Sequence, residues 1–400
     1  MMRAGTTARV LFLMTDLGLC LYIWRVLFHH QHSTIIHTIL MEASNSNSES
    51  EKVRSETFYY GYDPEMETLT ISGSGEEPIT LSKAETDTWL FSITVPGRGI
   101  IKRILWEDLK FSVRTLVIQG EVESIGEEVF RGFSFLTKVE INSPIQSIGD
   151  NAFCGCDRLD PKFSVRTLVI QGEVESIGEE VFRGFSFYSV ELSSSIQSIG
   201  DNAFCGCYRL KNIKIPASVT SMGTSVFDGC DYLKEIKSES LRYPAEDGVL
   251  FKVADNGYRI LVRYPSDREG EEYSIPKGVV EIEEYAFAKC RNLVSITIPK
   301  TVKRIGCCAF DTCWNLRLIT ASWLRPPKVN SDIFDFFTKP SKIRLIVPYG
   351  MRSTYRAAPV WKKCKVIEIS DLKLSDRLWI LRNTLLRNVR SKISLQPRCL

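Results

Sequence analysis

Histidine is almost absent from this sequence, and its distribution argues against a large class of enzymes. All four histidines, at positions 29, 30, 32 and 37, lie within the first forty residues. The rest of the chain therefore has no imidazole that could serve as general base for a serine or cysteine nucleophile. The histidines also lack cysteine or carboxylate neighbours. This favours a polar flank of a hydrophobic run over a metal site.

Phosphate-binding and zinc-binding motifs are missing as well. The chain has no GxxxxGK[ST] loop and no CxxC pair, and SGSGEEP at 72–78 lacks the third glycine of a dinucleotide loop. Twelve cysteines among 400 residues are too few for a disulfide scaffold, and a formal net charge of +3 gives no reason to expect nucleic-acid binding. We therefore expect no cofactor, no metal, no nucleic-acid partner and no enzymatic activity.

A short repeat is present instead. A tripeptide such as SIG and a phenylalanine five residues after its central residue occur together seven times. The central residues are Ile125, Ile148, Ile177, Ile199, Met222, Ile282 and Ile305. The phenylalanines are Phe130, Phe153, Phe182, Phe204, Phe227, Phe287 and Phe310. Most intervals are 22 or 23 residues, and a period of this length is typical of leucine-rich repeats.

Each unit also contains an apolar string that predicts a strand. The spacing LxxIxIP occurs at 210–216 and 293–299, and a version without the proline lies at 136–141. Its apolar residues alternate as in a strand, and proline ends the strand because it cannot donate a ladder hydrogen bond. One strand per unit predicts a mainly β leucine-rich repeat solenoid, a right-handed superhelix with a parallel sheet, which is stable only through contacts between neighbouring units.

The cysteines of the repeat are predicted to be core residues. Three residues after the repeat phenylalanine come Cys156, Cys207, Cys230, Cys290 and Cys313. Phe133 and Phe185 take this position in the two other units. A phenyl ring cannot replace a metal ligand, but it can replace a small buried apolar residue, which is how free cysteine packs.

Two features interrupt the repeat. The segment 110–135 recurs letter for letter at 162–187, so a block of two units has been duplicated. The seam adds six residues around Asp160 and Pro161, where we expect a loop. The 60-residue interval after Met222 contains two apolar runs flanking Asn256-Gly257. This pattern predicts a β-hairpin insert over about 238–272.

We divide the chain into a hydrophobic leader (1–40), a polar linker (41–57), an N-terminal β cap (58–109), the solenoid (110–369) and a basic C-terminal tail (370–400). Residues 10–28 are compatible with a signal or a membrane contact, but Asp16 and Arg25 interrupt them and no AxA cleavage site follows. The alternative is that translation starts at Met41. The basic tail is compatible with an amphipathic helix on a membrane or partner, or with packing on the last repeat.

The combined pattern LxxIxIPxxVxxIGxxAFxxC resembles the BspA-like leucine-rich repeat family. ETLTISGSGE before the array, EDGVLF and YRILVRYP inside it, and the closing segment at 344–369 agree with this resemblance. Members of the family occur among surface proteins of anaerobic bacteria and some parasitic protists. The resemblance implies a binding or adhesion protein without catalytic residues. The units at 113–135 and 165–187 lack the proline, and 323–337 is a degenerate unit.

The strand pattern also predicts where a partner binds. The residues between the apolar positions of the strand point outward. They are Lys138, Glu140, Ser189, Glu191, Asn212, Lys214, Ser295 and Thr297. We expect them to line one continuous sheet face that binds a protein or glycan partner, on a monomer at the cell surface or secreted. If translation starts at Met41, the alternative is a cytoplasmic repeat scaffold for protein–protein interaction.

Overall fold

The computed structural model describes residues 58–372, apart from 64, 74–77, 84–89, 96–98, 106–108, 157–166, 328, 330, 331, 335 and 336. These residues lie in one compact unit, Glu56–Leu400. The predicted leader, the polar linker, the seam around residue 160 and the tail beyond residue 372 lie outside the described residues. Within the described ranges, no helix is long and apolar enough to cross a membrane.

The solenoid contains two rows of strands, numbered here in chain order. The first row comprises β2 (Thr68–Gly73), β6 (Thr115–Gly120), β8 (Lys138–Ile141), β10 (Thr167–Ile170), β12 (Ser189–Glu191), β14 (Asn212–Ile215), β16 (Glu235–Ser238), β20 (Glu272–Ser274), β22 (Ser295–Ile298), β24 (Leu318–Ala321), β25 (Arg344–Val347) and β26 (Lys365–Glu368). The second row comprises β3 (Ile79–Lys83), β7 (Val122–Ile125), β9 (Ser147–Ile148), β11 (Ser176–Ile177), β13 (Ser198–Ile199), β15 (Ser221–Met222), β19 (Arg259–Arg263), β21 (Val279–Ile282) and β23 (Arg304–Ile305).

Parallel pairing within each row confirms the predicted solenoid of about 23 residues per turn. In the first row, Thr115, Lys138, Thr167 and Ser189 lie in one register. The inward residues of each strand are buried, and β14 and β22 end directly before the prolines of their LxxIxIP strings. In the second row, β9 pairs with β7 and β11, and β13 pairs with β11 and β15.

The glycine of the SIG tripeptide is required by the close approach of successive turns. A Cβ atom added to Gly200 would lie 2.5 Å from the backbone carbon of Gly178 in the preceding turn. Backbones at this distance leave no space for a side chain. The tripeptide therefore marks the contact between turns, which is why it repeats with the period of the solenoid.

The repeat phenylalanines form a buried stack along the core. Ring centroids are 5.1 Å apart for Phe130 and Phe153, and 5.4 Å for Phe182 and Phe204. Farther along, Tyr264 packs on Phe287 at 5.2 Å and continues the stack. All seven predicted phenylalanines are buried. Near-parallel rings at this spacing add to the stabilisation that burial already provides.

The five repeat cysteines are buried, and each thiol lies near a backbone carbonyl of the preceding turn. The acceptors are the carbonyl oxygens of Phe130, Phe182, Phe204, Tyr264 and Phe287, at Sγ–O distances of 3.0 to 3.9 Å. In the degenerate unit, the Thr338 hydroxyl donates to the Phe310 carbonyl at 2.7 Å instead. These thiols are therefore core residues that also satisfy a buried acceptor.

The insert contains β17 (Ala245–Glu246) and β18 (Val249–Val253), and β18 pairs antiparallel with β19 as the predicted hairpin. The interval of 60 residues is one whole additional turn and 14 further residues, because β16 pairs with β14 in the normal register. At the insert, the Ile236 amide donates to the Gly248 carbonyl at 3.1 Å. The first row is therefore divided, and β20 to β26 of this row form a separate five-stranded sheet.

Both ends of the described array are covered. At the start, β1 (Phe58–Asp63) pairs antiparallel with β2, and β4 (Leu90–Val95) and β5 (Gly99–Leu105) extend the second row in antiparallel fashion. At the end, helix α1 (Arg352–Ala357) brings the Tyr355 hydroxyl within 3.0 Å of the Trp323 carbonyl. Four 3₁₀ turns complete the described structure: Leu109–Phe111, Pro340–Lys342, Trp361–Lys363 and Ile369–Asp371.

Candidate functional site

Six of the eight predicted outward residues lie on neighbouring first-row strands. We call this surface the first-row face and define it by Lys138, Glu140, Ser189, Glu191, Asn212 and Lys214. Lys138 and Ser189 each pair in register with Thr167, and Glu140 and Glu191 each pair with Val169. Asn212 and Lys214 lie at the corresponding positions of β14, which is adjacent to β12. The strand alternation therefore brings these six side chains to one surface.

The two remaining residues do not belong to this surface. Ser295 and Thr297 lie on β22, in the sheet beyond the insert. Ser295 is only 9% exposed, so little of it is accessible to a partner. The prediction of one continuous face is wrong at this point, because the hairpin insert divides the first row and the register alone did not show it.

The charges of the first-row face are largely paired with one another. Lys138 Nζ lies 2.6 Å from Glu140 Oε1, and Lys214 Nζ lies 2.6 Å from Glu239 Oε1. Exposed pairs of this kind contribute about 0–1 kcal/mol to stability, so they are available for rearrangement on binding. Glu191 forms no ion pair with a described residue. It leaves one uncompensated negative charge in the middle of the face.

A cluster of tyrosines and cations borders the first-row face, and the sequence analysis missed it. The Arg209 guanidinium carbon lies 5.5 Å from the Tyr188 ring centroid and 5.7 Å from that of Tyr208. Lys211 Nζ lies 5.6 Å from the Tyr188 ring centroid. We call Tyr188, Tyr208, Arg209 and Lys211 the aromatic edge. Neither cation forms an ion pair with a described residue, so both retain charge to offer a partner.

The duplicated block contains the signal that identifies this edge. Its first copy reads CDRLD at 156–160, whereas its second copy reads CYRLK at 207–211. Asp157 and Asp160 of the first copy therefore correspond to Tyr208 and Lys211 of the second. Within two otherwise almost identical copies, this difference replaces two acids with a tyrosine and a cation.

Perturbed groups elsewhere do not form a recognisable catalytic set. A hydrogen bond from the Cys307 thiol to Asp332 Oδ2, at 2.9 Å, raises the pKa of Cys307 to about 12, so it remains a poor nucleophile near neutral pH. Burial raises the pKa of the Glu283 carboxyl to about 7. Across the described ranges, no group of three or more histidine, cysteine or acidic residues has a metal-binding arrangement.

Comparison with known families and structures agrees with this architecture. A family model described as BspA type Leucine rich repeat region matches in six copies, over residues 101–163, 160–246 and 266–356, which together exceed half of the chain. No curated protein matches the chain.

Solved structures include a leucine-rich repeat protein from Eubacterium ventriosum, which is 22% identical with a TM-score of 0.52 and covers 78% of this chain and 82% of its own. A leucine rich cell surface protein from Faecalibacterium prausnitzii is 24% identical with a TM-score of 0.44, over 80% of this chain and 94% of its own. The pneumococcal vaccine antigen PcpA is 15% identical with a TM-score of 0.45, over 79% and 98%. The Eubacterium protein shares the fold.

Proposed function

Since the chain belongs to the BspA-type leucine-rich repeat family, we propose that it is a non-catalytic interaction protein whose first-row face binds a protein or glycan partner. One observation carries the proposal: Glu191, Arg209 and Lys211 lie on or beside this face and form no ion pair with a described residue. Charges without an intramolecular partner are free to pair with a ligand of complementary charge.

The composition of the surface fits a broad contact. Val117 and Val169 lie beside Glu140 in the same register and are half-buried, so apolar, charged and hydroxyl groups alternate along the face. The aromatic edge adds tyrosines, which supply contact area and a hydroxyl together. Mixed surfaces of this kind suit protein or glycan recognition better than the enclosure of a small molecule.

We propose display at the cell surface or secretion as the setting of this activity. The support is the apolar segment 10–28 with Arg3 and Arg9 before it, a combination typical of export signals. Intracellular scaffolding is the second candidate, and the polar, serine-rich segment that begins at Met41 favours it. N-terminal sequencing of the protein from its natural source separates them, since a first residue at Met41 would support the scaffold.

The experiment for the binding role has two steps. A partner is first cross-linked to the full chain in its natural surroundings, identified by mass spectrometry and purified. Its binding is then measured for wild type, for a face variant with Glu191→Lys, Arg209→Glu and Lys211→Glu, and for a control variant with Lys363→Glu. Both variants change the net charge by the same amount.

We expect the face variant to weaken binding about tenfold or more and the control to have little effect, because only the first set touches the proposed contact. Thermal unfolding should be nearly unchanged in both. The proposal fails if the face variant binds like wild type, or if deleting residues 371–400 abolishes binding that the face variant retains.

A further inference from the structure

A basic concavity lies beyond the hairpin insert, apart from the first-row face. Its volume is about 940 Å³, and its lining includes Tyr258 from the hairpin, Lys300, Lys303 and Arg304 from the turn after β22, and Leu324 and Arg325 from the degenerate unit. We call it the basic groove. Turns that approach as closely as those around Gly200 leave no depth between them. The groove forms where the insert and the degenerate unit depart from the repeat.

The positive charge of the basic groove is local and mostly uncompensated. Its lining contains four cations and no acidic residue. Arg304 pairs with Glu281, with Nε 3.0 Å from Oε2, whereas the other three cations form no ion pair with a described residue. The turn after β14 has Ala217 and Thr220 where this turn has Lys300 and Lys303. The repeat itself therefore does not require cations here.

The basic groove also contains an unused polar group. The Thr301 hydroxyl oxygen is buried and has no hydrogen-bond partner among the described residues. A buried hydroxyl without a partner is unfavourable, and a ligand or water that bonds to it relieves that cost. It lies between two cations in the sequence, so it can contribute to binding the same anionic group.

A smaller apolar concavity adjoins the basic groove. It measures about 550 Å³, shares Leu324 and Arg325 with the groove, and is otherwise lined mainly by Pro326, Met351, Ala357 and Ala358. Leu324 is 67% exposed at the boundary. Methionine and small apolar residues form adaptable surfaces for apolar side chains. The two concavities therefore place an anion-binding region beside an apolar one.

We propose that the two concavities together bind an acidic peptide segment of a partner protein, with carboxylates at Lys300, Lys303 and Arg325 and an apolar side chain against Leu324 and Met351. Charge complementarity selects the acidic residues, and the apolar concavity selects an apolar residue next to them. A sulfated polysaccharide would use the cations, but it has no apolar group for the second concavity. This site is independent of the first-row face, so the two fail or hold separately.

The test uses the full chain and a fluorescein-labelled peptide library in which three glutamates are followed by pairs of apolar residues, leucine and phenylalanine included. Matched libraries carry glutamine in place of glutamate, or serine in place of the apolar pair. Fluorescence anisotropy compares wild type with K303E/R325E, with L324D, and with the face variant K138E/K214E as the charge-matched control. Thermal unfolding checks that each variant is folded.

We expect acidic–apolar peptides to bind wild type and the control alike, and K303E/R325E to bind about tenfold or more weakly. L324D should lose the preference for an apolar pair, and higher ionic strength should weaken binding. Equal binding of the glutamine library overturns the proposal, as does unchanged binding by K303E/R325E or the absence of any binding peptide. Binding of heparin alone, lost in K303E/R325E, would instead assign the groove to a sulfated polysaccharide.

Discussion

Truncation of Phe204 tests the core at the residue where the ring stack is most regular. Phe204 is completely buried, and its ring centroid lies 5.4 Å from that of Phe182 and 6.0 Å from that of Phe227. Replacing a buried phenylalanine with alanine costs about 3–5 kcal/mol. Because Phe204 contacts rings of both neighbouring turns, we expect Phe204→Ala to reach the upper part of this range.

The matched control is Glu179→Ala. Glu179 is exposed, and its backbone amide donates to Asp150 Oδ1 at 2.7 Å, a bond that the substitution leaves in place. We expect a change below about 0.5 kcal/mol for this surface residue. Urea unfolding of the full chain, followed by circular dichroism, measures both variants. Equal destabilisation by the two substitutions would refute the assigned repeat phase and the ring stack with it.

Three other side chains have expected outcomes of their own. Burial raises the pKa of the Cys230 thiol to about 12, so iodoacetamide should label it only after unfolding, and labelling of the folded protein would contradict its packing. Burial raises the pKa of Glu283 to about 7, above roughly 4.3 for an unfolded chain, so its ionisation destabilises the folded state as pH rises through this window. Glu283→Gln should therefore gain roughly 2–3 kcal/mol of unfolding free energy over wild type above pH ~7 and little at pH ~4, and an equal difference at both would be inconsistent with burial as the cause. Thr312 has φ of 54°, in a left-handed conformation that five other units assign to glycine, so Thr312→Gly should raise the unfolding free energy by about 0.5–1 kcal/mol; a loss measured by urea unfolding would show that no strain is relieved.

The fold was predictable because its periodic residues are the ones that turns must share. The SIG glycine allows backbone approach, the phenylalanine fills the stack, and the cysteine fills the position next to it. Each has one physical role per turn, so spacing alone identified all three. The carbonyl hydrogen bond of the cysteine thiol was not predictable, because it depends on which backbone atom of the preceding turn lies opposite the sulfur.

The divided face could not be predicted from spacing. In the additional turn around β16, the ring position is Tyr264 and the second-row strand is β19, so neither the SIG tripeptide nor the phenylalanine is present to mark it. Arg263 is buried there and donates to the Tyr285 carbonyl at 2.5 Å and to Ser266 Oγ at 2.8 Å. A polar residue in the core removes the apolar pattern on which the repeat assignment depends.

The aromatic edge illustrates the same limit in the candidate site. The strand alternation predicted the first-row face, because alternation determines which side chains point outward. It says nothing about residues before the strand, where Tyr208, Arg209 and Lys211 lie close to Tyr188 in the folded chain. These contacts join successive turns, so only the three-dimensional structure brings them together.

Carboxyl footprinting of the complex with the purified partner tests the central claim most directly. Glycine ethyl ester labels accessible carboxylates, and mass spectrometry compares each site in the free protein and the complex. The account predicts that labelling of Glu191 falls several-fold on binding while labelling of the exposed Glu179 is unchanged. Unchanged labelling of Glu191 in a saturated complex would contradict the assignment of the first-row face as the binding surface.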